Sequence, residues 1–219
     1  EMCIRDSPNG LIAAALANMG ERFGFYIMMA ILTLFISAKF GLSETTTGYI
    51  YSAFYASIYI LALAGGIIAD KTKNFKGTIL AGLVMMAVGY LIIAIPTPTP
   101  VPSMGLYLGL TCFGLLVIAF GNGLFKGNLQ ALVGQMYDDP KYSSLRDSGF
   151  QIFYMFINIG GFFAPWIAIG VRNWWLKVNN FDYDATLPEL CHQFLKEGDK
   201  MAPQAMENPV SYTHLTLPT

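Results

Sequence analysis

Five apolar runs constrain this chain more than any other feature. They cover about residues 11–38, 47–69, 77–95, 104–133 and 149–171. Crossing the hydrocarbon core of a bilayer takes ~20 residues of helix. Within that core each backbone N–H and C=O has to be paired inside its own segment, so runs of this kind are helices. The expected fold is all-α: a polytopic membrane protein with five transmembrane helices. Composition agrees, with 54% hydrophobic and 12% charged residues, against ~25% charged in a soluble domain. A formal net charge of −1 leaves no basic surface for nucleic acid. The first run carries internal charges and no small-residue cleavage site, so it is not read as a signal peptide.

The two ends have a different character. Residues 1–7, EMCIRDS, and 210–219, VSYTHLTLPT, read as translations of one sequencing-adapter element in its two orientations. Both are expected to be artefacts and are set aside from fold reasoning. What remains is expected to be an internal fragment of a longer gene. Residues 8–171 form its transmembrane region, and 172–209 form a polar extracytoplasmic segment before a missing sixth helix. Loop charges orient the spans. Lys71, Lys73 and Lys76 follow the second run, and Lys141 and Arg146 follow the fourth, whereas PTPTPVPS after the third is uncharged. Positive residues favour the cytoplasmic side. The first helix therefore starts inside and the fifth ends outside.

Three charges interrupt the apolar runs: Glu21, Arg22 and Lys126. Each costs about 2.5–3.5 kcal/mol on insertion scales, and intramembrane ionisable residues generally mark a substrate or proton pathway. A structural Glu21–Arg22 pair is the plainer alternative. Adjacent residues project about 100° apart on a helix, so each is expected to find other partners. Two cations against one anion suit an anionic group such as a substrate carboxylate, with Glu21 left for a cation or proton. Asn158 in the fifth run can hydrogen-bond a ligand or cross-link helices. Tyr51, Tyr55 and Tyr59 step by four along one face, and Tyr51 and Tyr55 are expected to serve helix packing. Gly20/Gly24, Gly105/Gly109 and Gly123/Gly127 have the spacing of close helix contacts, and GNG at 121–123 is read as packing. No cofactor, metal or enzymatic chemistry is expected: Cys112, Cys191 and His192 lack ligand spacing, and no nucleophile or acid pair stands out.

Four motifs now carry a resemblance: GERFGFY at 20–26, GGIIADK at 65–71, GNGLFKGN at 121–128 and FYMFINIGGFFAP at 153–165. In order and on the expected helices, they resemble the proton-dependent oligopeptide transporters of the major facilitator superfamily. The resemblance implies twelve helices in two halves, with alternating access to a midplane site. This chain would supply the first five helices. It implies that Arg22, Tyr26, Tyr59, Lys126 and Asn158 bind substrate, that Glu21 serves proton coupling, and that Asp70 and Lys71 belong to a gating loop. Phe25 stands where the family motif has its first tyrosine. Asn18 replaces the motif's first glutamate, so coupling would pass through Glu21 and the missing half. The implied function is proton-coupled symport of di- and tripeptides across a bacterial inner membrane, with small peptides, protons, the bilayer and the missing C-terminal half as partners. The rivals are a major-facilitator transporter of another anion, such as nitrate or an organic acid, and a non-transporting scaffold or receptor.

Overall fold

The computed structural model describes residue 8, residues 10–97 and 101–179, and His192. Both suspected adapter segments, Cys191, and the expected outer segment from 180 onward apart from His192 lie outside the described residues. Five helices follow one another: α1 (Gly10–Phe40), α2 (Glu44–Thr72), α3 (Phe75–Ile93), α4 (Met104–Met136) and α5 (Arg146–Val178), the last entered through a short 3₁₀ turn at Ser143–Leu145. All five are long and apolar enough to cross a membrane.

Capping chemistry, rather than the edge of the apolar run, sets where these helices end. Gly41 leaves α1 at φ 61°, and its N–H reaches the Ser37 carbonyl at 2.8 Å. Glycine takes that left-handed conformation at no steric cost. Ser43 then caps α2, its Oγ accepting from the Thr46 N–H at 3.4 Å. The Lys-rich turn between α2 and α3 is equally tight. Lys73 adopts φ 50° and donates to the Ala69 carbonyl at 2.7 Å, while Asn74 Oδ1 accepts from the Gly77 N–H at 3.0 Å. These polar caps carry α2 from Glu44 to Thr72, beyond its apolar run at both ends. α5 likewise continues past residue 171, to Val178.

α4 is the hub. α3 and α2 pack along it, α1 touches it, and α1 lies along α5. The close α2–α4 and α3–α4 crossings are made by single glycines facing one another from different helices, and the α1–α5 crossing by one glycine. A Cβ on Gly65 would land on the backbone of Gly123, and one on Gly82 would sit 2.6 Å from the Gly121 carbonyl oxygen. Gly89 meets Gly114, and Gly160 meets the Met19 carbonyl. The spaced pairs behave otherwise than expected. Of the six glycines in those pairs only Gly123 lies at a crossing; Gly20, Gly24, Gly105, Gly109 and Gly127 have open space at the Cβ position among the described residues. Backbones need glycine only over the short stretch where two axes cross, and here the partner helix supplies the second glycine.

Two apolar clusters stand one above the other. One gathers Leu11, Ala14, Ala15, Phe125, Leu129, Val133 and Phe153. The other gathers Phe25, Leu32, Ile36, Phe54, Ile58, Leu115 and Ile118. Between them, on both α1 and α4, lies a polar layer.

Candidate functional site

The tripeptide Gly121-Asn122-Gly123 shows how the sequence builds this layer. Successive helical residues turn by about 100°, so three neighbours address three directions. Gly121 lies against Gly82 and Met86 of α3, and Gly123 against Leu61 and Ala62 of α2. Asn122 points to α1, where its Nδ2 donates to Glu21 Oε1 at 2.7 Å. The glycines pack as the sequence led us to expect. The asparagine between them carries the site.

Glu21 and Arg22 form an ion pair with each other. Arg22 grips the carboxylate with two donors, Nε to Oε2 and Nη2 to Oε1, the latter at 2.8 Å. The expectation that neighbours 100° apart would need other partners fails for Arg22. The angle constrains Cβ atoms, whereas three methylenes let the guanidinium fold back to the preceding side chain, a fork geometry suited to a carboxylate. Both side chains are almost wholly buried, at 6% and 4% exposure. Arg22 also lies over the Phe25 ring, 5.0 Å from its centroid.

Lys126 is one turn along α4 from Asn122 and only half-buried. Its Nζ lies 5.7 Å from the centre of the Tyr59 ring. Glu21–Arg22 is the one ion pair within 4.0 Å among the described residues, so the lysine ammonium has no carboxylate partner there. Glu21 and Arg22 are nonetheless close enough for their charges to act on it. The layer as a whole carries one surplus positive charge. Tyr59 is 57% exposed and Tyr55 44%; their hydroxyls meet at 3.1 Å. Tyr51 stacks on Tyr55 and also packs against the apolar cluster. The packing role expected for Tyr51 therefore holds. Tyr55 instead stands in the open beside Tyr59, one helical turn away.

α5 closes the layer from the other side. The Tyr26 ring lies against Gly161 of α5, and Gln130 of α4 donates to the Tyr154 hydroxyl at 3.4 Å. Asn158 sits between Tyr154 and Gly161 at helical spacing, hence on the face of α5 that meets α1 and α4. It is exposed. The structure thus brings Glu21, Arg22, Tyr59 and Lys126 to one region, with Tyr26 against α5 and Asn158 placed on that face of α5 by helical spacing alone. Asp70 and Lys71 lie apart, exposed in the last turn of α2.

Tyr55 and Asn122, both read from the sequence as packing, and Gln130 and Tyr154, not singled out there, join this region. For α4 the signal was present: 122, 126 and 130 are a polar line at i, i+4, i+8 in an apolar helix. For Tyr154 it was absent, because an aromatic residue on a membrane helix reads equally well as a lipid contact.

Known proteins are similar to this chain in sequence and in fold. The family model described as the POT family matches residues 76–184. The dipeptide and tripeptide permease A of Cronobacter turicensis is 37% identical over 157 residues, and that of Escherichia coli K12 is 34% identical over 157 residues. In each case the match covers 69% of this chain and 29% of the permease, so the chain spans under a third of these relatives. A solved structure of the peptide transporter POT, a point mutant in complex with sulfate, superposes with a TM-score of 0.64 at 24% identity, over 95% of this chain and 44% of that one. That likeness supports the fold, the arrangement of the five long helices. On the motifs, the sequence matches and the fold together, this multi-pass membrane protein belongs to the POT family of transporters.

Proposed function

We propose that the chain supplies the first five helices of a transporter that carries di- and tripeptides across the bacterial inner membrane together with protons. One observation carries the reading. In an otherwise apolar helix, a half-buried lysine with no carboxylate within 4.0 Å among the described residues lies 5.7 Å from the ring centre of the exposed Tyr59. A charge left in that position has a large insertion cost, and a substrate carboxylate would offset it. The names of the relatives, dipeptide and tripeptide permease A, agree with that chemistry.

In this mechanism Lys126 and Arg22 take the peptide carboxylate. Tyr26, Tyr59 and Asn158 hydrogen-bond the backbone and the amino end. Glu21 exchanges Arg22 for a proton during the cycle, which frees the guanidinium for substrate. Asp70 and Lys71 act at the cytoplasmic turn as part of the gate, and the lysines of that turn support a cytoplasmic N-terminus for α1. The partner is the C-terminal half, against which these helices rock.

The test is competition for labelled dialanine uptake in cells expressing the full-length transporter that contains this sequence. Unlabelled dialanine should compete, and dialanine amide, which has lost its carboxylate, should not. A protonophore should abolish accumulation. Equal competition by the amide would overturn the carboxylate assignment. Competition by nitrate or an organic acid, with none by peptide, would replace the substrate class.

A further inference from the structure

Asn122 is the most buried polar side chain of the layer, with 0% exposure. Its Nδ2 donates to Glu21 Oε1, while its Oδ1 is buried without a hydrogen-bond partner among the described residues. Leaving an acceptor unmet in a dry site costs about 1–3 kcal/mol. The amide cannot be turned to relieve this while Glu21 is ionised, because a carboxylate only accepts and needs the nitrogen. A neutral carboxylic acid reverses the demand, since its O–H needs an acceptor. The buried Oδ1 is that acceptor, reached by half a turn about the last side-chain bond.

We propose that Asn122 is a positioning residue that serves both protonation states of Glu21, donating to the carboxylate and, after the amide swings over, accepting from the acid. This rests on the reading that Glu21 exchanges protons. The proton enters on a Glu21 oxygen, no covalent bond of Asn122 is made or broken, and Arg22 is released. The α1–α4 hydrogen bond then survives a cycle that removes the ion pair. Other groups facing Glu21 do not do this. Arg22 on α1 and Lys126 on α4 only donate. Tyr90 of α3 lies within charge range of Glu21 without a hydrogen bond to it. Tyr59 of α2 faces Lys126, and Tyr154 of α5 faces Gln130.

The experiment uses the full-length transporter in lipid. Infrared difference spectra between acid and neutral pH show the C=O stretch of protonated Glu21 as the band lost in Glu21→Gln. Asn122→Leu matches the branching of asparagine without its polar atoms. It should move that band to the higher wavenumber of an acid whose O–H is unbonded. It should also raise the midpoint of the uptake–pH profile by about half a unit or more, since the carboxylate loses a charge-assisted hydrogen bond worth ~1 kcal/mol more than the one the neutral acid loses, and 1.36 kcal/mol is one unit. Asn122→Ser, whose hydroxyl both donates and accepts, should return band and midpoint toward the parent. Should Asn122→Leu fail to reach the membrane, Asn122→Ala against Asn122→Ser makes the same comparison. An unmoved band in the apolar variant, or no Glu21 band at any pH, overturns the proposal. A transporter that takes up no peptide, yet shows the band shift and its rescue, would sink the proposed substrate and leave the role of Asn122 standing.

Discussion

At the scale of single residues, the buried pair and the lysine make opposite predictions. Arg22→Ala leaves the Glu21 carboxylate buried with only Asn122 to hold it. Breaking such a pair costs about 3–5 kcal/mol, so the variant should melt well below the parent in detergent. Replacing both by leucine should recover most of that stability while abolishing uptake, because a buried pair roughly breaks even against apolar side chains. A double variant no more stable than Arg22→Ala would show that the pair is worth more than its desolvation. Lys126→Ala should behave otherwise. The ammonium has no ion-pair partner among the described residues to orphan, and its removal lowers the insertion cost. Uptake should fall below detection with the amount of inserted protein unchanged. A variant that takes up peptide at the parent rate would make Lys126 structural.

Elements are joined by glycine at a few points, and adjacent positions can be told apart. Gly65 and Gly66 are neighbours in sequence. A Cβ on Gly65 would run into the backbone of Gly123 and Leu124, whereas a Cβ on Gly66 meets nothing within 4 Å among the described residues. Gly65→Ala should cost about 1–3 kcal/mol through the forced separation of α2 and α4. Gly66→Ala should be neutral or slightly stabilising, because alanine is the better helix former. Thermal unfolding of the two variants in the same detergent decides it, and equal melting temperatures would refute the close crossing. Asn128 reinforces this seam, its Nδ2 donating to the Gly65 carbonyl at 3.2 Å as well as to Leu124 in its own helix.

For the molecule as a whole, the prediction concerns completeness and orientation. Alternating access requires two halves, so vesicles containing this chain alone should take up no peptide. Proton-dependent uptake by such vesicles would overturn both the mechanism and the expectation of a missing half. The positive loops should face the cytoplasm. A cysteine at Lys73 in a background without other cysteines should then react with an impermeant maleimide only after the cells are opened. Labelling in intact cells would invert the topology.

The number and kind of the helices were legible in the sequence, because hydrocarbon leaves a spanning chain no other way to pair its backbone. The chemistry of the site was legible for a related reason. Glu21, Arg22 and Lys126 have an insertion cost that an apolar helix would otherwise avoid, so they stand out against their runs. Who pairs with whom was decided by tertiary structure. Helical angles separated Glu21 from Arg22, and side-chain length brought them together. Spacing made Gly20/Gly24 look like a contact, yet α1 meets α5 at Gly160 against Met19, and the α2–α4 and α3–α4 crossings fell where a glycine on one helix met a glycine on another. Asn122 lay unnoticed between two packing glycines until the fold set α1 against that face of α4. Periodicity in one helix reports which residues share a face. Which face meets which depends on where several helices cross, and no single segment encodes that.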